Sequence, residues 1–287
     1  MADNYDVQAL NLGESQFNGK IPEDAAVLII AGARGELLTD EMIEVREWLK
    51  KGGRALFLVD PSPPLTIAAI LEKWGVIIGK ETIVDPNASI TGDPRTPLLQ
   101  RPSYLGDPIT ENLDVTFFPQ ATPVEILEEF QEDPRKVPPW IQYIPLAQSS
   151  NNSWGTLDPE RDKFSSAEDN PGPLLIGLAV QALGTVEESR QSVESSESSE
   201  VTTFIVLGDS DFASNRFYSA YSNSDLFLNS VNWLAKDYSL ISIRPKPYAF
   251  RELVVLPYEF DIIRYSSWFI LPLVVALLGL LTWWRRR

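Results

Sequence analysis

The chain has 287 residues, 44% of them hydrophobic, and a formal charge of −16. It can bury one large core or two small ones, but a surface this acidic repels phosphate backbones and excludes nucleic acid as a partner. It has no cysteine and no histidine, which removes disulfides, thiolate and Ser-His-Asp catalysis, and ordinary zinc or haem sites; carboxylates, lysine, tyrosine or a hard cation held through oxygen are left.

The first ninety residues alternate strand and helix. "YDVQAL" (5–10) is a candidate strand, and "AVLIIAG" (26–32) is an apolar run of the kind buried on both faces. Thr39 is placed to cap a helix whose first turn holds Asp40, Glu41 and Glu44, with Met42, Val45, Trp48 and Leu49 as its apolar stripe. Lys50, Lys51, Gly52 and Gly53 close it. "RALFLVD" (54–60) is a second buried strand, "LTIAAILEKWG" (65–75) a second helix, and "VIIG" and "ETIVD" follow as strands. This order predicts an α/β fold, a mostly parallel sheet with right-handed crossovers and flanking helices.

Between residues 85 and 172 the pattern weakens, with "DVTFF" (114–118) and "WIQYIPLA" (140–147) as the strands of an elaborated region packed on the sheet. "PLLIGLAVQAL" (173–183) and "EVTTFIVLGD" (200–209) are again strands. The Ser/Glu-rich stretch between them, 185–200, reads as a mobile, solvated hairpin loop. A last helix begins at Ser224 or Asp225 and buries Phe227, Val231 and Leu234.

Ligands of such sheets bind beyond the carboxyl ends of the strands. That places "AGARGELLTDE" with Arg34, "VDPSPP" with Asp60, and "GDSDFASN" with Asp209, Ser210, Asp211 and Asn215 on one rim, as candidates to bind a ligand or partner. The first loop lacks the G-x-G-x-x-G spacing, and no P-loop GK[ST] occurs, so nucleotide binding is not supported and no cofactor is expected. Asp209 and Asp211, with Asp60, are weak candidates to hold Mg²⁺ or Ca²⁺; capping of turns and backbone amides is the simpler account of them. Ser210 lacks the base that a nucleophile requires. Trp154, in the polar turn "QSSNNSWGTLD", is a candidate to stack on a sugar, or else a Trp lodged under a loop.

"SWFILPLVVALLGLLTWW" (267–284) is uncharged, and at about 1.5 Å per residue it extends roughly 27 Å, the thickness of a bilayer's hydrocarbon core. Trp268, Trp283 and Trp284 flank it as interfacial aromatics do, and Arg285, Arg286 and Arg287 abut its end. It is read as a transmembrane helix. Lys246, Arg251 and Arg264 balance the tail arginines in number. The contiguous tail and the acidic domain favour a cytoplasmic C terminus and an extracytoplasmic domain. "MADNYDVQALNLGES" shows no signal peptide, so either the tail helix inserts on its own or another segment normally precedes the domain. The expected division is an acidic domain over 1–246, a connector over 247–265, the helix over 266–284 and a basic tail over 285–287.

Three blocks in order carry a resemblance: "IPEDAAVLIIAGARGELLTDEMIEVREWLKKGGRALFLVDP" (21–61), "LEKWGVIIGKETIVDP" (71–86), and "VLGDSDFASN" followed by "NSDLFLNSVNWLAKDYSLISIRPK" (223–246). Together they resemble the auxiliary, substrate-binding-like components of ABC transporters related to the gliding-motility transporter. The resemblance implies a domain similar to a module of intraflagellar transport proteins and akin to class I glutamine amidotransferase-like and flavodoxin-like folds. It implies as partners an ABC permease, an ATPase and the lipid bilayer of the cell (inner) membrane. Family members usually carry an N-terminal membrane helix and a longer domain before the first block. The Cys-His-Glu triad of amidotransferase-like folds has no counterpart in a chain without Cys or His, which points to binding or assembly. Two alternatives stay open: a membrane-anchored module binding envelope polysaccharide through Trp154, and a metal-dependent carboxylate enzyme centred on Asp209 and Asp211.

Overall fold

The computed structural model describes residues 5–14, 18–87, 89, 92–105, 108–161, 163–187 and 201–236, together with positions 265, 272, 273, 281 and 283–286. The Ser/Glu stretch from 188 to 200, the connector and most of the candidate membrane helix lie outside the described residues. Among the described residues no helix is long and apolar enough to cross a membrane.

The main sheet has five strands: β1 (Leu28–Ala31), β2 (Arg54–Leu58), β12 (Thr202–Leu207), β11 (Leu175–Ala182) and β8 (Ile141–Gln148), in that spatial order. β1, β2 and β12 are parallel, and β11 is antiparallel to both of its neighbours. Four strands therefore point one way and β11 alone is reversed, antiparallel to both of its neighbours.

Strand alternation divides the core. Ala55 and Phe57 of β2 and Phe204 and Val206 of β12 face α1 (Thr39–Lys50) and α2 (Leu65–Glu72). Leu56, Leu58, Ile205 and Leu207 face α4 (Asn223–Leu234) on the other side. Successive side chains of a strand point to opposite faces, so one apolar run completes two cores. All six residues of β12 are buried, and Phe204 stands edge-on to Phe57 at 5.9 Å and to Trp74 at 6.1 Å.

Several expectations are corrected. Residues 5–10 form no strand. Tyr5 instead donates its hydroxyl to Asn232 Oδ1 (2.6 Å) and packs on the α4 side, while Leu10 and Leu12 pack on the α1 side. β1 is not buried on both faces: it is the edge of the sheet, and Ile29 is 38% exposed. The parallel order also stops after β2. β3 (Val76–Ile78) pairs antiparallel with β7 (Val124–Ile126), and β4 (Thr82–Val84) with β9 (Trp154–Thr156), outside the main sheet. The elaborated region thus supplies partners for the first half of the chain, and it also supplies the edge strand β8. Pro145, which has no N–H to donate, pairs with Leu178 beside the register shift at Gly177/Leu178, where the ladder is already interrupted.

Helix boundaries move slightly. α1 begins at Thr39, and the Glu41 carboxylate accepts the backbone N–H of Leu38 at 2.9 Å, so the cap lies one residue before the expected one. α4 begins at Asn223 and buries Leu226, Ser230, Trp233 and Leu234 as well as Val231, with Phe227 only partly covered. Two of its buried polar side chains bond to the backbone: Ser230 Oγ donates to Leu226 O (2.8 Å), and Asn229 Nδ2 to Ile109 O (3.0 Å).

Phe204→Ala removes a fully buried ring from the contact between β2, β12 and α2. It is expected to lower stability by about 3–5 kcal/mol, read as a shifted urea midpoint in tryptophan fluorescence. A loss below about 1 kcal/mol would mean that the two cores do not depend on this strand.

Candidate functional site

The carboxyl ends of β1, β2 and β12 meet at one rim and are joined by backbone bonds. Gly32 N–H donates to Leu58 O and Val59 N–H to Leu207 O, both at 2.9 Å. Asp60 leaves β2 at this point. Its Oδ1 accepts the Ser210 N–H and its Oδ2 accepts the Ser210 hydroxyl, each at 2.8 Å. One carboxylate thus holds the turn after β12 against the turn after β2, through the residue lying between the two suspected metal ligands.

Close approach at the rim requires glycine in two places. Gly32 has φ +56°, and a Cβ there would stand 2.8 Å from Ser210 Oγ. At Gly208 a Cβ would stand 2.1 Å from the carbonyl oxygen of Thr122. Thr122 N–H donates to Gly208 O at 2.7 Å, so the segment before β7 crosses the end of β12 and covers it.

Asp209 is 1% exposed, and both its oxygens are engaged: Oδ1 accepts Asp211 N–H (2.9 Å) and Oδ2 accepts Phe212 N–H (3.1 Å). Burial pushes its carboxyl well above the ordinary 3.8, against those two N–H bonds, and the nearby Asp60 carboxylate adds to the rise. Phe212 follows as a fully buried anchor. The turn is fixed from below by Asn223, 0% exposed, whose Oδ1 accepts Phe117 N–H (3.1 Å) and whose Nδ2 reaches Phe212 O (3.2 Å) and Phe217 O (3.3 Å).

The structure therefore brings Asp60, Asp209, Ser210 and Asp211 together, with Asn215 a few residues on. Asp211 and Asn215 are exposed, as is Arg34 in the loop after β1. Trp154 does not join them. It lies in β9 on a separate sheet, 6% exposed, with its ring edge-to-face with Phe164 at 6.2 Å. Gly208, Thr122 and Asn223 are essential parts that sequence reasoning missed, and only the tight Gly-Asp sequence at 208–209 hinted at them.

Chemically, the four inner carboxylate oxygens of Asp60 and Asp209 each already accept an N–H or O–H from the protein. A hard cation would have to displace those donors. Among the described residues, no group of three or more acidic side chains is arranged to hold a metal. The Ser210 hydroxyl donates to a carboxylate, an arrangement that fixes a turn. The rim is a rigid, polar surface whose outward groups are Arg34, Asp211 and Asn215.

Because the Asp209 carboxyl is raised, the folded state holds its proton more tightly than the unfolded chain does. Its contribution is fully present below the ordinary carboxylate value of 3.8 and is lost as pH rises through the folded value. Asp209→Asn, neutral at every pH, lacks this dependence. Urea midpoints measured from that value upward are expected to shift in favour of the variant as pH rises; parallel curves would refute the raised carboxyl.

No functionally curated protein matches the sequence. Among solved structures, the chain is similar to the "mmIFT52 N-terminal domain", with a TM-score of 0.50 and 14% identity over 74% of this chain and 78% of that one. It is also matched to a putative ThuA-like protein from Bacteroides uniformis, with a TM-score of 0.40 and 13% identity over 76% and 71% of the two chains. The first likeness shows a shared fold, as the resemblance to the intraflagellar transport module implied. Residues 1–230 match the family described as "ABC-type uncharacterized transport system", and the chain belongs to that family of auxiliary ABC transporter components.

Proposed function

We propose that this protein is a non-catalytic subunit of an ABC transporter, held in the membrane by residues 266–284 with its acidic domain outside the cytoplasm. It works beside a separate permease and a separate ATPase. The observation that carries this reading is the rim itself, at the place where α/β folds put their working groups. There the carboxylates of Asp60 and Asp209 are bound to the protein's own donors. The sequence supplies no histidine or cysteine to complete a catalytic set. A rigid polar surface without reactive groups suits docking. Membership of an ABC transport family supplies the partner class. The sequence holds no P-loop, so ATP hydrolysis falls to another chain. The uncharged stretch 267–284, with tryptophans at both ends and arginines behind it, supports the anchor and its orientation.

In detergent extracts, the tagged full chain is expected to co-purify with a multi-span permease and an ATPase. Replacing Arg34, Asp211 and Asn215 together by alanine should reduce the recovered permease while leaving stability within about 0.5 kcal/mol, since all three are exposed. A chain that purifies alone at native expression levels would count against the assignment. So would a version ending at residue 265 that stays membrane-bound.

A further inference from the structure

At the opposite end of the sheet from the rim lies a cleft of about 300 Å³. Its position follows from the topology. α1 ends at Lys50 where the chain turns into β2, and the reversed β11 ends there as well. Its walls combine a hydrophobic side, Ile43 and Trp74, with three cations, Arg46, Lys50 and Lys73. In a chain carrying 40 acidic and 24 basic residues, such a grouping runs against the general charge. Glu47 and Glu187 also line the cleft, so among the described residues its cations outnumber its carboxylates by one.

One carboxylate is already seated there. Glu187 pairs with Lys73, and the segment carrying it is held along the end of α2 by Val186 N–H donating to Lys73 O at 2.9 Å. The Lys73 ammonium beside it holds the Glu187 carboxyl below its usual range, with Lys50 and Arg46 acting in the same direction. Arg46 is braced against α2 through Nη2 to Ala69 O (3.4 Å), and its buried Nε has no hydrogen-bond partner among the described residues. The Glu187 side chain is 61% exposed and that of Lys73 37%, so the pair is in contact with water and can exchange.

We propose that this cleft is a docking site for an acidic peptide segment of a partner protein, whose carboxylates enter between Arg46, Lys50 and Lys73 by displacing Glu187. Glu187 is then an internal stand-in: it shows which functional group the three cations accept, and it competes with the incoming segment. With Glu187 withdrawn, the described lining holds Arg46, Lys50 and Lys73 against Glu47 alone, an excess of positive charge suited to incoming carboxylates. Ile43, 49% exposed, offers an apolar contact beside them. The site lies at the far end of the sheet from Asp60 and Ser210, so it stands or falls independently of the transporter assignment.

The test is fluorescence anisotropy of labelled hexaglutamate titrated with the full chain in detergent at low salt. Saturable binding is expected, tightened about threefold in Glu187→Gln, since an exposed ion pair of ordinary strength is removed from the competition. Lys50→Glu combined with Lys73→Glu should abolish it, as should high salt. Glu187→Gln changes a single exposed atom type and preserves the fold, so this variant is decisive. Unchanged or weaker binding in it overturns the proposal, and so does an absence of saturable binding. Displacement of hexaglutamate by equimolar inorganic phosphate would also overturn it, by identifying a general anion site and not a peptide site.

Discussion

The fold depends on the complete burial of β12. It is the strand at which both cores meet, with Phe204 and Val206 closing one and Ile205 and Leu207 the other. Two different neighbours, parallel β2 and antiparallel β11, satisfy its backbone. Burying six consecutive residues on both faces is favourable only while every N–H and C=O in the strand is paired. That requirement fixes the register of the two flanking strands, and through them the positions of β1 and β8. It also decides what happens where the strand ends. At Gly208 the ladder stops, and its last groups are taken up by Ile176 O and Thr122 N–H (2.8 and 2.7 Å).

The rim is the continuation of that constraint. Beyond Gly208 the chain has to turn while still buried, and Asp209 supplies the acceptors for the N–H groups of Asp211 and Phe212. The desolvation that raises its carboxyl follows from keeping a turn dry. Asp60, less buried, performs the same service across strands. Two carboxylates that resemble catalytic equipment in a linear reading thus act as acceptors for stranded donors. Their common purpose is to let two parallel strands end side by side.

What could be read in the sequence follows from this. β2 and β12 were legible because strands buried on both faces appear as unbroken apolar runs, with "RALFL" and "TFIVL" surviving almost unchanged. "AVLIIAG" looks the same, yet β1 is an edge, because the pattern records apolarity and not the number of neighbours. β3 and β4 were legible as strands but not in their pairing, since β7 and β9 are three residues long and lie in the weakly patterned stretch. At the rim, the meeting of Asp60 with residues 209–211 was legible from topology alone. The link through Ser210 was not, because a pair of hydrogen bonds between distant residues leaves no periodic trace. Asn223 reads as an ordinary first-turn residue, and nothing local announces that it holds the Phe117 N–H together with the carbonyls of Phe212 and Phe217.

The reversal of β11 has a mechanical consequence. Because β11 and β12 are antiparallel neighbours, the paired Ala182 and Thr202 stand at the cleft end, while Gly177 and Leu207 stand toward the rim. The two poles of the domain are therefore the two ends of one hydrogen-bonded ribbon in its most deeply buried layer. At about 3.3 Å per residue, the six residues of β12 make a strut roughly 20 Å long with no loop or hinge along it. The distance between the two poles is thus set by the length of this strand and not by a connecting loop.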